Sequence, residues 1–246
     1  MNAARGRLLA IESATPRAEV AVLDAESHVL ASRGGPSGQH HSETLLPLVD
    51  AVLTDSRTGW ADLTAVAVSI GPGAFTSLRI GVATVKGLCF GDETPVLAIS
   101  TLEALAWGAR DSISGDSALG PLLPMLDARR GEVYAAAYKE PAPSGRGWDT
   151  ILAPGVFRAE EIARALPEGG CLVGEGAVVV AEALEALCPG RFDRLSGIAA
   201  RPEAKAVGEL GWQALQAGEQ VTASGLVPRY VRRAEAEVQR TQKRFE

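Results

Sequence analysis

The residues best placed to do chemistry in this chain follow a glycine-rich turn. Gly71-Pro72-Gly73-Ala74-Phe75-Thr76-Ser77 lies between a predicted buried strand and a predicted helix. Backbone N–H groups at the start of a helix carry partial positive charge and bind phosphate groups. We therefore consider a phosphate or nucleotide contact at Gly71, Gly73, Thr76 and Ser77. No Walker-type lysine follows the second glycine, so the alternative stays open that Gly71 and Gly73 only allow a tight turn.

Metal chemistry has weak support in the sequence. The three histidines are His28, His40 and His41, and no pair has the spacing of a zinc or iron motif. Adjacent residues point apart on a helix or a strand, so we expect His40 and His41 to have structural or surface roles. Glu12 and Asp127 end predicted strands. A carboxylate there either coordinates the magnesium ion of a nucleotide or bonds to its own turn.

The composition is that of an ordinary globular protein, with 46% hydrophobic and 22% charged residues in a chain of 246. The net charge of -6 argues against binding nucleic acid or anionic membrane through bulk charge. No apolar run approaches the ~18–20 residues of a membrane-spanning helix, and the run after Arg7 is too short for a signal peptide. Cys89, Cys171 and Cys188 lack CxxC spacing, and we interpret them as reduced, buried thiols of a cytoplasmic protein.

Short apolar runs alternate with helical patterns along the chain, which predicts an α/β protein. In the first half we expect strands at Arg7–Glu12, Glu19–Leu23, His28–Arg33, Leu63–Ile70 and Pro95–Ile99. Helices are expected at Thr44–Asp55, Thr76–Phe90 and Thr101–Ala109. Thr44 is the predicted N-cap of the first helix, because Pro47 would then lie in the first turn, where no N–H group is needed.

The second half repeats this alternation more loosely. We expect a lobe junction at Gly115–Pro121, a hairpin of Leu122–Leu126 and Val133–Tyr138, a loop at Lys139–Gly147, a strand at Cys171–Val173 and helices at Ala159–Leu166, Ala177–Leu187 and Glu203–Ala217. The predicted organisation is a first lobe at 1–110, a smaller second lobe at 111–204, a segment at 205–231 that packs back on the first lobe, and a charged tail at 232–246. The tail has five basic and three acidic residues. A solvated end and a nucleic-acid contact both account for it. No internal repeat is visible in the sequence.

The first two predicted helices have more apolar surface than one core contact requires. In the second helix, one face is a normal core stripe of Leu78, Val82, Val85 and Cys89, and the other face is small and nearly uncharged. This excess indicates a helical contact with another subunit, or packing of the two helices on each other or beneath the second lobe. The residues that we predict for the contact region, some of them facing inward, are Leu45, Val49, Val52, Ile80, Ala83, Thr84 and Gly87.

Several motifs resemble those of the TsaB (YeaZ) family, a bacterial subunit of the machinery that makes threonylcarbamoyladenosine in tRNA. In the first half they are LAIESAT at 9–15, HSETLLP at 41–47, SIGPGAFTSLRIG at 69–81 and KGL at 86–88. ISTLEALA at 99–106, MLDARRGEVY at 125–134 and PRYVR at 228–232 add support. The resemblance is strong over residues 8–138, and the long Gly-Pro-Gly motif with its flanks is its most specific part.

The resemblance implies an actin/sugar-kinase/Hsp70-like (ribonuclease H-like) α/β fold of two lobes, with mixed sheets flanked by helices. It implies a non-catalytic partner of TsaD, the enzyme that transfers the threonylcarbamoyl group to adenosine 37 of tRNA, and binding of the pair by the ATPase TsaE. It also implies that the first two helices form both the contact with TsaD and a homodimer of the isolated chain. The tRNA would be reached only through the complex.

Two positions depart from the catalytic relatives in this resemblance. Those relatives carry two histidines four residues apart after the strand that matches Pro95–Ile99, and our alignment puts Thr101 and Leu105 there. Neither side chain can replace an imidazole as a metal ligand. Glu12 stands where the fold usually has a strand-end Asp, and its extra methylene moves the carboxylate by about 1 Å. The resemblance therefore implies no catalytic residue, no metal and no cofactor beyond a weak ATP or ADP contact at a subunit interface. The alternative is a kinase-like ATPase or a metallopeptidase-like enzyme.

Overall fold

The computed structural model describes residues 6–36, 38–110, 120–139, 148–195 and 201–231. Three predicted segments therefore lie wholly or mostly outside the described residues: the lobe junction at 115–121, the loop at 139–147 and the tail at 232–246. Among the helices that are described, none is long and apolar enough to cross a membrane.

The first half of the chain builds one five-stranded mixed sheet in the order β3-β2-β1-β4-β5. Its strands are β1 (Arg7–Glu12), β2 (Glu19–Asp24), β3 (Val29–Gly34), β4 (Leu63–Gly71) and β5 (Val96–Ser100). Its helices are α1 (His41–Asp55), α2 (Phe75–Leu88) and α3 (Thr101–Ala109), with a short 3-10 helix at Trp60–Asp62. Strands β1 to β3 are antiparallel, and β4 and β5 run parallel to β1.

The second half builds another five-stranded mixed sheet in the order β10-β9-β6-β7-β8. Its strands are β6 (Leu122–Arg129), β7 (Glu132–Lys139), β8 (Asp149–Phe157), β9 (Gly170–Val173) and β10 (Phe192–Arg194). The helices are α4 (Ala159–Ala165), α5 (Ala177–Leu187) and α6 (Ala204–Ala217). Strands β6 to β8 are antiparallel, and β9 and β10 run parallel to β6.

The two halves share one topology. Each has an antiparallel three-stranded meander, then a helix, a parallel strand, a second helix and another parallel strand. This is the two-lobed arrangement of mixed sheets and flanking helices that the resemblance implies, and that prediction is confirmed. The sequence shows no repeat because the two halves share strand order and connections rather than residues.

The first sheet is covered on both faces, which explains its continuous apolar strands. Leu9 and Ile11 of β1 pack in the core beneath α1 and α2, while Leu8 and Ala10 face α6. Strands β1, β2 and β4 contribute alanines to this face, at positions 10, 21, 65 and 67, which lets the helix lie close to the sheet. A Cβ atom at Gly211 of α6 would lie 2.6 Å from the Cβ of Ala67. Helix α6 therefore belongs to the first lobe in space, although it follows the second lobe in sequence.

Helix α1 begins earlier than predicted. Its first residue is His41, so Thr44 is not the N-cap and Pro47 lies inside the helix. The buried His41 ring explains this start, because its Nε2 atom lies 2.9 Å from the carbonyl oxygen of Thr15 and ties the first turn to the β1–β2 connection. Proline has no N–H group to donate to the carbonyl four residues before it. Because Pro47 is exposed, that carbonyl lies on the solvent side of the helix.

Two strands were not predicted. Strand β8 is an exposed edge strand that contains Pro154 and Gly155, and β10 has three residues. Edge strands tolerate such residues because one side of the strand makes no ladder hydrogen bonds. Strand β6 continues to Arg129, three residues beyond its predicted end at Leu126. The remaining predicted elements are confirmed to within two residues at each end.

The three cysteines are thiols that form no disulfide with one another, as predicted. Cys89 and Cys171 are buried, whereas Cys188 is half-buried, which corrects the expectation that all three are fully enclosed. Burial raises the pKa of the Cys89 thiol to about 11, so this side chain stays protonated and acts as a small hydrophobic residue.

Candidate functional site

Beyond Arg79, the outer face of α2 is small, uncharged and accessible. The predicted core stripe is buried beneath it, with Leu78 and Val85 at 1% and 0% exposure. On the outer side Ala83 and Gly87 are exposed, while Ile80 and Thr84 are half-buried. We call Ile80, Ala83, Thr84 and Gly87 the α2 stripe. Such a face lets another helix approach closely, because no long side chain holds it away.

The two glycines inside α2 have different surroundings. A Cβ atom at Gly81 would overlap the Oγ atom of Ser13 and lie 3.0 Å from its Cβ, so Gly81 is needed for α2 to pack on the end of β1. Among the residues that the structure describes, a Cβ atom at Gly87 would meet nothing within 4 Å. Packing within the protomer therefore explains Gly81 but does not explain Gly87.

We expect Gly87→Ala to stabilise the isolated protein by roughly 0.5–1 kcal/mol, because alanine is the better helix former and the site is open. Gly81→Ala is expected to destabilise it by roughly 1–3 kcal/mol through overpacking against Ser13. Urea unfolding of the two variants tests both signs. Stabilisation by both substitutions, or by neither, would contradict the different roles of the two glycines.

Helix α1 contributes less to the outer surface than predicted. Leu45, Val49 and Val52 are exposed by 3% or less and belong to the core of the first lobe. These three predicted contact residues therefore face the sheet, because they occupy one side of the helix at i, i+4 and i+7. The exposed large apolar residue on α1 is instead Leu46, at 54%, and Phe90, just after α2, is 89% exposed.

A C-terminal segment, residues 219–231, lies along one flank of α2. Leu226 is buried in the same core as α1 and α2, and Val221 forms an antiparallel bridge with Val96, the first residue of β5. The Lys86 ammonium donates to the carbonyl of Ser224 at 3.2 Å. The chain then passes the start of α2, where the Arg229 N–H donates to the carbonyl of Ile70 at 2.7 Å. This segment fixes the position of α2 against the first lobe.

Three side chains meet where this segment reaches the first turns of α2. The rings of Phe75 and Tyr230 stack with centroids 4.9 Å apart. The guanidinium of Arg79 lies 4.0 Å from the centre of the Phe75 ring, and its Nε atom donates to the Tyr230 hydroxyl at 2.8 Å. The cluster joins the motif at 69–81 to the motif at 228–232, two segments that lie far apart in the sequence.

The glycine-rich turn serves mainly to pack the chain. The Gly71 N–H donates to Thr101 Oγ1 at 3.1 Å, and a Cβ atom at Gly71 would lie 2.6 Å from the Arg229 carbonyl oxygen. Gly71 is buried and cannot contact a phosphate group, which corrects that part of the prediction. Gly73 is held against Ala14, whose carbonyl accepts the Ala74 N–H at 2.8 Å. The tight-turn interpretation accounts for both glycines.

A cleft of about 370 Å³ separates the two lobes beside this turn. Its lining includes Gly73 but not Thr76 or Ser77 of the predicted phosphate contact. Asp127 and Glu175 supply carboxylates to it, and Arg129, which pairs with Asp127 at 3.2 Å, supplies a cation. Burial, and then the nearby charge of Asp127, raise the pKa of Glu175. Two carboxylates disfavour a phosphate group, so nucleotide binding in the cleft stays a prediction with little support from its lining.

Glu12 does not reach this cleft. Its side chain is fully buried at the end of β1, and its Oε1 atom accepts the Ala14 N–H at 2.7 Å. Within the described part of the chain, its Oε2 atom has no hydrogen-bond partner. Burial is the main cause that raises the pKa of Glu12 to about 7. The candidate role of Glu12 in holding magnesium is therefore wrong for this conformation, since the carboxylate turns inward to its own connection.

His40 and His41 occupy the surface and structural positions that were predicted for them. His40 is exposed before α1, while the adjacent His41 is buried against Thr15, so the two rings do not converge on one site. His28 lies in the β2–β3 turn, where its Nδ1 atom is 3.1 Å from Asp24 Oδ2. With Glu26 these two residues form a small exposed cluster that has the right donor types for a metal.

Comparisons with known proteins give this geometry a context. The model of the family described as TsaD, tRNA N6-adenosine threonylcarbamoyltransferase, matches residues 35–240. The chain belongs to this family. Among curated relatives, the TsaB protein of Escherichia coli is 36% identical over 133 residues, covering 54% of this chain and 55% of the relative. TsaB of Haemophilus influenzae is 32% identical over 163 residues, covering 63% of this chain and 65% of the relative.

The solved structure of YeaZ from Pseudomonas aeruginosa extends the likeness over the whole fold. It covers 92% of this chain and 99% of that chain, with a TM-score of 0.73 and 27% identity. The chain therefore groups with the TsaB (YeaZ) members of the TsaD family. The alignments with the two curated TsaB proteins span only about half to two thirds of their lengths.

Within the TsaD family, the positions that we aligned with the two histidines of catalytic members are filled by core packing. Thr101 is fully buried, and its Oγ1 atom accepts from Gly71. Leu105 is exposed by 2%, and its Cδ2 atom lies 2.6 Å from where a Cβ of Gly174 would be. Both side chains are thus engaged in joining α3 to the rest of the protein.

Proposed function

We propose that this chain is the non-catalytic subunit of the complex that makes N6-threonylcarbamoyladenosine at position 37 of tRNA, and that it binds and stabilises TsaD. The observation that carries the proposal is the accessible α2 stripe, together with the names of the curated relatives, which are proteins of tRNA threonylcarbamoyladenosine biosynthesis. The stripe docks a helix of TsaD and thereby holds the lobes of TsaD in the competent arrangement.

The physical basis of docking is close approach over an uncharged surface. Ala83 and Gly87 form the floor of the contact, and neither projects a long side chain. Phe90, three residues after Gly87, is large, apolar and 89% exposed, and Leu46 is an exposed apolar residue of α1. Burying such side chains against a partner is favourable by roughly 25 cal/mol per Å² of apolar surface, before the cost of association. A partner helix that packs on α2 at this point explains why the open position 87 is a glycine.

The non-catalytic assignment rests on what occupies the relevant positions. Thr101 and Leu105 are buried in the protomer, so a metal ion has no imidazole there. Glu12 is turned away from the inter-lobe cleft. The chemistry of transfer is therefore assigned to TsaD, and the contribution of this chain is to bind it.

Further parts of the proposal follow from the resemblance. TsaE binds the pair, the isolated chain forms a homodimer through the same helices, and tRNA is reached only through the complex. The chain carries no cofactor of its own beyond a weak ATP or ADP contact at a subunit interface, and the complex is cytoplasmic.

Co-expression with TsaD of the same organism tests the docking surface. We expect Ala83→Glu to weaken binding of TsaD at least tenfold, because a long charged side chain would hold the partner helix away from Ala83 and Gly87. The thermal unfolding temperature of the isolated variant should change little, since Ala83 is exposed. Ala183→Glu on the exposed side of α5 is the matched control and should bind normally.

Equal affinity of the Ala83→Glu and Ala183→Glu variants for TsaD would contradict the proposal. The alternative that this chain is itself an enzyme is tested by the metal content and the ATP hydrolysis of the purified chain. Stoichiometric iron or zinc, or sustained ATP hydrolysis without TsaD and TsaE, would favour a metallopeptidase-like or kinase-like activity.

A further inference from the structure

The cluster of Phe75, Arg79 and Tyr230 has an unusual combination of order and exposure. Phe75 is 37% exposed and Tyr230 is 42% exposed, and Arg79 is exposed as well. The arginine is nevertheless held at two points, by the Phe75 ring below it and by the Tyr230 hydroxyl at its Nε atom. Fixing a long side chain at the surface costs conformational entropy, and the small burial of these groups offsets little of that cost.

Arg79 has no acidic partner among the residues that the structure describes. Its Nε atom is used by Tyr230, which leaves the Nη donors of the guanidinium fork for another acceptor. The first turn of α2 contains no acidic residue. A fixed, planar guanidinium at a helix start, with no acidic partner in the described part of the chain, is well suited to bind a carboxylate through two parallel hydrogen bonds.

The cluster is continuous with the α2 stripe. Phe75, Arg79, Ala83 and Gly87 succeed each other at intervals of four residues, so they form one line along the helix. A protein that lies on Ala83 and Gly87 therefore reaches Arg79 within one further turn. Arginine and tyrosine are also the residue types that most often dominate the binding energy of protein interfaces.

We propose that Phe75, Arg79 and Tyr230 form an anchor that binds an acidic side chain of the protein docked on α2. The inference rests on the proposed function for the existence of that docked protein, and it adds the chemistry of the group that the partner must present. The stacked rings and the Tyr230 hydroxyl hold the guanidinium in place before binding, so the carboxylate meets a fixed fork. A protein carboxylate is favoured over an RNA phosphate because the chain has a net charge of -6 and the anchor borders an uncharged stripe.

Binding of purified TsaD to single variants at low and high salt tests the anchor. Arg79→Glu is expected to weaken binding at least about tenfold by placing like charges together. Arg79→Lys keeps the charge but loses the fork, and Tyr230→Phe keeps the stacking but frees the guanidinium, so each should weaken binding by about threefold. Arg79→Gln should also reduce the salt dependence of the affinity, which a purely structural role of Arg79 would not alter.

Arg164→Glu is the matched control, because Arg164 is an exposed helical arginine on α4 of the second lobe. Equal affinities for TsaD of the Arg79→Glu and Arg164→Glu variants would overturn the anchor. Loss of tRNA binding by the Arg79→Glu variant with unchanged binding of TsaD would also overturn it, since the acceptor would then be a phosphate. If Ala83→Glu weakens binding and the Arg79 variants do not, only the anchor fails. If none of them weakens binding, the docking surface itself is wrong.

Discussion

At pH 8 the Glu12→Gln variant is expected to be more stable to urea than the unchanged chain by roughly 3 kcal/mol, and this difference should shrink towards pH 4.5. The reason is the buried carboxyl of Glu12, whose pKa burial raises from 4.5 to about 7 in the folded protein. Between pH 4.5 and about pH 7, the Glu12 carboxyl holds a proton in the folded chain that it has already released in the unfolded chain. Stability of the unchanged chain therefore falls as pH rises through this range, and it levels off above the folded pKa.

The comparison isolates Glu12 from other groups that titrate in the same range. Burial also raises the pKa values of Glu19, Glu103 and Glu175, so the unchanged chain has further pH dependence of the same sign. Those contributions are present in both proteins and cancel in the difference. Glu182→Gln, at an exposed position on α5, is the control and should give a curve parallel to that of the unchanged chain. A parallel curve for Glu12→Gln as well would show that Glu12 is not buried as a free carboxyl.

Apolar patterns in the sequence predict most elements of the fold, because burial on one face or on both leaves a readable period. The continuous apolar run of β4 and the core stripe of α2 are both of this kind. The predicted start of α1 was wrong because the true start depends on a contact between His41 and Thr15, which no periodic apolar pattern encodes. Strand β8 was missed because an exposed edge strand has little apolar pattern to detect.

The sequence likewise predicts some features of the candidate site and misses others. Helix faces indicate which side of α2 is free, but they do not distinguish Gly81, which packs on Ser13, from Gly87, which is open. They also assign α1 a wide apolar surface, of which Leu45, Val49 and Val52 are enclosed by the sheet. The bond between Arg79 and Tyr230 joins residues 151 positions apart, so local spacing carries no information about it.

The second substitution with a large expected effect is Gly73→Ala, which should destabilise the protein by about 3 kcal/mol. A Cβ atom there would overlap the carbonyl oxygen of Ala14 and lie 2.7 Å from its Cβ. These atoms belong to the connection after β1, which is held by the hydrogen bond from the Ala74 N–H to the Ala14 carbonyl at 2.8 Å. The added methyl group must push this connection away from the start of α2 and break that bond.

Urea unfolding measures the loss, and amide hydrogen exchange at Ala74 reports whether the bond to Ala14 opens in the folded variant. Gly87→Ala serves as the control, because the same substitution in an open part of α2 should stabilise the chain. A loss of less than about 0.5 kcal/mol for Gly73→Ala would mean that the connection after β1 yields without cost. In that case the glycine at 73 would be free for a ligand, and the phosphate interpretation of the turn would regain its support.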